Sequence, residues 1–287
     1  MVQFSQLIIN GLLLSALYGL VAVGFTIIFG VGGVLNLFHG ASIAVGAFAM
    51  LFLINAGFGI VAGVLAAIAI PVLVNLAIYL GMVENVQDRP LTVMILTLTM
   101  ALLVKEVFLS FVGSRTRSIP SLVSGKTELL GIAIRSNRLA VLVLSWVIIG
   151  LLFVFINRTR HGKAIMATSM SERGAALVGI NSRKMYIYTW ILASALAGIA
   201  GIFFGSFQGV TFNMGAEPLV LSFSIVVIGG IGSIRGSLVG AHIVGFIEII
   251  TASLISTRLT GMLSLMVLWI VLVVKPEGLF GRELVGV

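Results

Sequence analysis

Apolar residues run through this chain in long stretches separated by short polar segments. Nine such stretches occur, each near or somewhat below the length of a membrane-spanning helix. They cover residues 6–29, 34–53, 58–80, 91–112, 138–157, 186–206, 218–232, 237–256 and 260–275. The pattern predicts an all-α, polytopic integral membrane protein with about eight or nine transmembrane segments. Glycines interrupt or flank the second and seventh stretches, so these two are candidate partial spans, and eight full crossings is the alternative.

Composition supports the membrane assignment. Of the 287 residues, 60% are hydrophobic and 9% are charged, whereas soluble domains are about 25% charged. A transmembrane barrel would show alternating segments of about ten residues, and this pattern is absent from the sequence. Cysteine is absent and the three histidines lie far apart, so the sequence excludes thiol catalysis and contains no metal-ligand motif. No loop is long enough for a soluble domain, so we expect residues 1–287 to form a single transmembrane domain.

The basic residues lie between the apolar stretches and predict the orientation of the chain. The formal charge of +8 fits lipid headgroups, and no nucleic-acid partner is expected. With the N-terminus outside, ten Lys and Arg fall in inner loops and six in outer loops, as the positive-inside rule favours. Residues 158–185 then form a cytoplasmic loop and residues 113–137 an extracytoplasmic loop. Lys105 lies near the outer end of the fourth stretch, where a long side chain reaches the headgroups.

Small residues recur at helical spacing in two regions of the chain. Residues four apart share one face of a helix, and a face of Gly and Ala lets another backbone approach closely. The first set comprises Ala193, Ala197, Gly201 and Gly205, and the second comprises Gly232, Gly236 and Gly240. Both sets predict helix packing, with a glycine-lined path or hinge as the alternative.

Polar residues inside the apolar stretches mark a candidate substrate path, which comprises Asn36, His39, Gly40, Gly46 and Glu248. Asn36 and His39 share a helical face with Gly46, and polar side chains in hydrocarbon need partners. This face forms either a packed polar cluster or the lining of the path. Glu248 lies well inside the eighth stretch and is either a structural hydrogen-bonding group or part of transport or gating.

The loop at 158–185 is basic in its first half and partly apolar in its second half. The first half fits the positive-inside rule. In the second half, a short helical segment follows Ser171 and ends near Gly179 and Asn181, and Asn181 is a candidate to stop or cap it. An apolar edge on a cytoplasmic loop suits docking to a partner, and a membrane-surface helix is the alternative. This edge comprises Ala175, Ala176, Val178 and Ile180.

Five segments carry a resemblance to a known family and together extend over nearly the whole chain. They are INGLLLSALYGLVAVGFTIIFGVGGVLNLFHGA (9–41), RTRHGKAIMATSMSERGAALVGI (158–180), ALAGIAG (195–201), VIGGIGSIRGSLVGA (227–241) and KPEGLFGR (275–282). In this order and spacing they resemble the permease subunits of branched-chain amino-acid ABC importers, the LivH/LivM type. Because the sequence starts directly at its first span, it is more similar to LivH.

The resemblance implies a role for the second half of the 158–185 loop, which corresponds to the coupling segment that sits in a groove of the ATPase. The segment comprises Ser171, Glu172, Arg173, Gly174, Ala175, Ala176, Gly179, Ile180 and Asn181. Four of these positions match the family: Ala175, Gly179, Ile180 and Asn181. Arg173 stands where the family often has Glu. In the first segment, NLFHGA keeps the family's Asn, His and Gly.

The resemblance also implies the function and the partners. It implies a permease subunit of an ATP-driven, binding-protein-dependent importer for leucine, isoleucine and valine in a prokaryotic inner membrane. The implied partners are a second, different permease subunit, two cytoplasmic ATPase subunits and an extracytoplasmic binding protein. SGKT at residues 124–127 lacks the first glycine of a phosphate-binding loop, so ATP and Mg²⁺ are expected in the partner subunits, and this chain is expected to bind neither cofactor nor metal.

Three other functions agree with the residues. A urea or short-amide permease would belong to the same superfamily. A stand-alone secondary carrier would need an ion-coupled site, for which Glu248 is the best-placed acid. A pore or membrane scaffold would conduct ions or assemble partners without ATP. No nucleophile–base–acid constellation suggests an enzyme.

Overall fold

The computed structural model describes residues 2–129 and 132–281, and these are mostly helical. The described α-helices, in chain order, are α1 (Val2–Gly32), α2 (Phe38–Asn55), α3 (Gly59–Ile78), α4 (Pro90–Val112), α5 (Ser136–Arg158), α6 (Arg160–Met170), α7 (Glu172–Leu177), α8 (Ser182–Gln208), α9 (Ala216–Gly229), α10 (Ile234–Ile250) and α11 (Met262–Val274). Strands β1 (Lys126–Leu129) and β2 (Ile132–Arg135) pair antiparallel within the 113–137 loop. Two parts of the predicted segments lie outside the described residues. They are Arg282, the last residue of the KPEGLFGR segment, and residues 130 and 131 of the 113–137 loop.

The nine apolar stretches each correspond to a helix in the described part of the chain. Seven helical segments are long and apolar enough to cross a membrane, whereas α9 and α11 have 14 and 13 residues. The second stretch forms the 18-residue α2, and the seventh forms the short α9. The prediction of a multi-pass all-α membrane protein is confirmed, and a partial span at the seventh stretch agrees with the length of α9.

Backbone chemistry explains where the spans break. Gly33 has φ +61°, which glycine adopts without strain, and α1 ends there. The chain resumes helical structure only at Phe38. α3 continues into a π-helical turn, Tyr79–Val83, and α4 then begins with Pro90, whose missing N–H is unneeded at a first helical position.

The chain divides into two compact units, which are described separately. Unit 1 consists of Met1–Thr26, Ser121–Ile149 and Val220–Val287, and unit 2 consists of Ile27–Pro120 and Gly150–Leu219. The candidate path therefore falls in both, with Glu248 in unit 1 and Asn36, His39, Gly40 and Gly46 in unit 2.

In unit 2, helices α2, α3 and α8 pack with their backbones in close contact. A Cβ on Gly201 would lie 2.2 Å from the carbonyl oxygen of Ile43, so α8 approaches α2 as closely as glycine allows. Gly198, which was absent from the predicted packing set, is equally tight: its Cβ would lie 2.1 Å from the carbonyl oxygen of Ala67 in α3. The predicted residues of this helix are all buried, namely Ala193, Ala197, Gly201 and Gly205.

In unit 1, α10 packs against both α1 and α9. Thr26 of α1 and Ser237 of α10 share a hydrogen bond of 2.6 Å between their hydroxyl groups. Gly236 and Gly240 face the backbone of α9, since added Cβ atoms would lie 2.0 and 2.6 Å from its carbonyl oxygens. The prediction was wrong for Gly232, which lies in the turn before α10 with φ +78° and is exposed, because the helix begins only at Ile234.

Candidate functional site: a polar break, a cavity and a coupling segment

The segment NLFHGA forms the break before α2 and is buried in unit 2. Asn36 and His39 are each 1% exposed. The Asn36 side-chain oxygen accepts a hydrogen bond from the Phe38 N–H at 3.0 Å, and the Thr97 hydroxyl accepts one from the Leu37 N–H at 3.1 Å. The Asn36 side-chain NH₂ has no hydrogen-bond partner among the described residues. Side chains therefore stabilise the break, and one buried donor can make a further hydrogen bond.

Gly40 lies against the backbone of the segment that leads into α9. A Cβ on Gly40 would lie 2.6 Å from the carbonyl oxygen of Gly215, and a Cβ on Gly215 would lie 1.8 Å from that of Gly40. Gly46, further along α2, contacts Gly198 of α8, since a Cβ added to Gly46 would lie 2.6 Å from the Gly198 Cα. These glycines let α2 sit between two neighbouring backbones, so their direct role is packing beside the candidate path.

A cavity of about 210 Å³ lies beside the Gly40–Gly215 contact, entirely within unit 2. Its walls come from the start of α2, from α4 and from the segment 212–219. Only two of its lining residues have polar side chains, Lys105 and Asn213. The other lining residues are apolar or glycine, which is typical of a small-molecule site with a few orienting polar groups.

Lys105 contributes the positive charge of this cavity. Its ammonium lies 5.7 Å from the ring centroid of Phe212, a cation–π arrangement. No carboxylate oxygen of the described residues lies within 4.0 Å of it. The fold directs this side chain toward Phe212. The one sequence signal was Ala101, a small residue one helical turn before Lys105, which indicates a face that meets protein.

Glu248 has hydrogen-bond partners within unit 1. It is 3% exposed, and its carboxylate accepts hydrogen bonds from the Gly261 N–H at 2.8 and 2.9 Å and from the Ser264 hydroxyl. Gly261 is the N-cap residue of α11, so the acid caps the positive end of that helix. These contacts account for a buried acid by structure alone.

The predicted coupling segment folds as α7 between two capped ends. The Ser171 hydroxyl accepts a hydrogen bond from the Gly174 N–H at 3.0 Å, which caps the N-terminus. At the other end, Gly179 has φ +80°, its N–H donates to Ala176, and the Ile180 N–H donates to Ala175, which is the pattern of a Schellman motif. Asn181 does not stop α7. Its side chain instead caps α8 by accepting from the Lys184 N–H at 3.1 Å.

The apolar edge of this segment differs from the predicted one. Ala175 is 2% exposed and faces the protein, whereas Leu177 is 89% exposed and Val178 is 74% exposed. The prediction was wrong for Ala175, because the helical turn points it inward. It also omitted Leu177, which follows Ala176 on the exposed side. The exposed apolar pair Leu177–Val178 is called the α7 tip below.

An ion pair connects α8 to the end of the third span. Arg183 of α8 forms an ion pair with Glu84, with one of its hydrogen bonds at 3.1 Å. At the opposite end of α8, Arg117 and Val210 exchange backbone hydrogen bonds of 2.9 and 2.7 Å. Because the 27-residue α8 is about 40 Å long, its two ends are farther apart than the roughly 30 Å hydrocarbon core of a bilayer.

Comparison with known proteins assigns the chain to a family. The sequence profile described as "Branched-chain amino acid transport system / permease component" matches residues 7–272. The chain belongs to this permease family. One similar protein is the high-affinity branched-chain amino acid transport system permease protein LivH of Escherichia coli (strain K12), with 30% identity over 97% of the permease and 96% of LivH. Another is the corresponding protein BraD of Pseudomonas aeruginosa, with 29% identity over 98% of the permease and 96% of BraD.

A third relative belongs to a sugar importer. The fructose import permease protein FrcC of Rhizobium meliloti is 33% identical, but only over 42% of the permease and 35% of FrcC. Family membership makes the permease the non-enzymatic membrane component of an ABC importer, which works with ATPase and binding-protein partners. It favours this function over the stand-alone carrier and the pore that the residues alone left open.

Proposed function

We propose that the permease carries leucine, isoleucine and valine into a prokaryotic cell, as one of two different permease subunits in an importer with two ATPases and one binding protein. The substrate assignment rests on similarity to branched-chain amino acid permeases over almost the whole chain. The relatives named as branched-chain amino acid permeases align with at least 97% of it, whereas the fructose permease aligns with 42%.

The candidate path supports the same substrate class. The cavity in unit 2 is mostly apolar, as suits a branched aliphatic side chain. Leu37 of the NLFHGA break lines the cavity, and it follows the buried Asn36, whose side-chain NH₂ has no partner among the described residues. Glu248 lies in unit 1, and its contacts with Gly261 and Ser264 favour a structural role over a role in transport.

ATP-driven motion would reach unit 2 through the coupling segment 171–181. Its exposed α7 tip is the surface that fits an apolar groove on an ATPase, with Arg173 and Glu172 beside it. α7 is joined to α8 by a short turn whose Asn181 side chain caps α8, and Arg183 of α8 pairs with Glu84 at the end of the third span. A rigid displacement of α7 would therefore move the packed helices α3 and α8 together. ATP and Mg²⁺ would be bound by the ATPases and not by this chain.

Transport by the complete importer tests the proposed function. We would reconstitute the permease with its neighbouring permease, ATPases and binding protein in proteoliposomes and measure ATP-dependent uptake of radiolabelled leucine. We expect saturable uptake that excess valine or isoleucine inhibits and excess urea does not. Uptake of urea without uptake of leucine would identify the short-amide alternative, and leucine uptake driven by an ion gradient without ATP would identify a secondary carrier.

A further inference from the structure

The cavity beside Gly40 combines an apolar wall with one positively charged side chain. None of its lining residues is acidic. The Lys105 ammonium lies over the Phe212 ring, and no carboxylate of the described residues neutralises it within 4.0 Å. A cation in an apolar wall without an internal counter-charge favours a ligand that brings a negative charge.

Two helix N-termini add to the positive potential. α2 begins at Phe38, and its first turn contributes Gly40 and Ala41 to the wall. α9 begins at Ala216, which is itself a lining residue. The aligned peptide dipoles of a helix give its N-terminus a partial positive charge. The cavity therefore has three sources of positive potential, and Lys105 is the strongest of them.

The rest of the wall fits an aliphatic group. Ala44, Ala101, Leu102 and Phe108 present apolar surface from α2 and α4. The volume is about 210 Å³, and an apolar cavity of about 150 Å³ is already large enough to bind benzene. A branched side chain of three or four carbon atoms is smaller than benzene, so it fits with room for a polar head.

We propose that this cavity binds the transported amino acid and that Lys105 selects for its carboxylate. The aliphatic side chain contacts the α2–α4 wall, the carboxylate pairs with the Lys105 ammonium, and the Asn213 amide oxygen accepts a hydrogen bond from the substrate ammonium. This inference rests on the proposed function for the identity of the substrate. It adds a specific recognition residue at a position outside the path predicted from the sequence.

The natural absence of cysteine gives a direct test on the permease itself. Ala101→Cys places one thiol in the cavity wall of the assembled permease–ATPase complex, which is purified without the binding protein. The rate of alkylation by N-ethylmaleimide is then measured with leucine, with leucinamide, which lacks the carboxylate, and with palmitate. Val123→Cys, in the 113–137 loop, is the matched control because Val123 is exposed and lies outside the cavity.

We expect leucine to slow alkylation at Ala101→Cys but not at Val123→Cys. Leucinamide should need a concentration at least about tenfold higher for the same protection, because a charge-assisted hydrogen bond is lost. Adding Lys105→Met should remove the difference between leucine and leucinamide, and adding Lys105→Arg should restore it. If the thiol does not react, the midpoint of thermal unfolding with each ligand gives the same comparison.

Three results would overturn the inference. The first is equal protection by leucine and leucinamide. The second is protection by leucine that is unchanged in the Lys105→Met variant, and the third is protection that depends on Lys105 with palmitate alone. Each would exclude an amino-acid carboxylate at Lys105. The uptake assay keeps the two proposals apart. Leucine uptake by the wild-type importer together with any of these results leaves the proposed function standing and removes only the role of Lys105.

Discussion

At the scale of single residues, glycines set how closely the helices of unit 2 approach. Gly198 is the tightest of them on α8, because a Cβ there would meet the backbone carbonyl of Ala67 at 2.1 Å. Backbone atoms cannot rotate away as a flexible side chain can. The neighbouring helix would have to shift, and α3 carries the connection to Glu84.

We expect Gly198→Ala to destabilise the protein by about 1–3 kcal/mol, the usual cost of adding a methyl group to a well-packed interior. Gly150→Ala is the matched control, since Gly150 is an exposed helical glycine whose Cβ would meet nothing within 4 Å. The midpoint of thermal unfolding in detergent measures both. Equal midpoints for the two variants would contradict the packing described for α8.

Glu248 illustrates how a buried acid can be structural. Its carboxylate accepts the Gly261 N–H at the start of α11 and the Ser264 hydroxyl. Hydrogen bonds to charged groups contribute about 1.5–3 kcal/mol, so Glu248→Gln should lower the thermal midpoint while uptake at low temperature stays close to wild type. Glu106→Gln, at an exposed acid of α4, should leave the midpoint unchanged. Loss of uptake in Glu248→Gln at a normal midpoint would instead assign the acid to transport.

At the scale of elements, α7 is a short helix with both ends fixed. Isolated helices of six residues are unstable in water, so the Ser171 cap and the Gly179 turn are needed to hold its shape. The fixed shape leaves Leu177 and Val178 exposed while Ala175 is buried. This arrangement separates residues that stabilise the segment from residues that can contact a partner.

The α7 tip gives a prediction about docking. Val178→Asp should reduce co-purification of the ATPases and leucine uptake at least about tenfold, because a charge would enter an apolar interface, and should leave the thermal midpoint of the permease unchanged. Val123→Asp, at an exposed valine of the 113–137 loop, should affect neither ATPase binding nor the midpoint. Normal association and uptake in Val178→Asp would refute the assignment of this tip.

Ala175→Asp should behave differently from Val178→Asp. Ala175 is 2% exposed, so an unpaired carboxylate there would be buried and would lower the thermal midpoint of the permease itself. Comparing the two variants separates a folding defect from a docking defect. A normal midpoint for Ala175→Asp would mean that this residue faces outward.

At the scale of the whole molecule, the sequence predicted the helices better than the contacts between them. Apolar length is a local property, so all nine stretches correspond to helices. The direction of a side chain depends on helix rotation and on a partner distant in sequence. The contact of Lys105 with Phe212 is not visible in the local pattern, and Gly232, predicted to pack on a helix face, lies two residues before its helix begins. The caps at Ser171 and Asn181 were visible as residue types, but only the fold shows which helix Asn181 caps.

The orientation of the whole chain gives a further prediction. With the N-terminus outside, Val178→Cys should react with a membrane-impermeant maleimide only in inverted membrane vesicles. Val123→Cys should react only in cells whose cytoplasmic membrane is intact and whose outer layers the reagent can cross. Both residues are exposed, so labelling reports sidedness and not burial. The chain has no cysteine to interfere. Labelling of both thiols from the same side would contradict the arrangement of the 113–137 and 158–185 loops.

The capped start of α11 has a consequence for the lipid around the protein. α11 has 13 residues and is about 20 Å long, whereas the hydrocarbon core of a bilayer is about 30 Å thick. Its side chains Met266, Trp269 and Val273 are more than half exposed. At its N-terminus, the Glu248 carboxylate already accepts a hydrogen bond from the Gly261 N–H. Such a helix suits a thin or locally compressed bilayer, since a longer acyl chain would create hydrophobic mismatch at this edge. Acyl-chain length is therefore a variable that would tune the stability of this permease independently of its substrate.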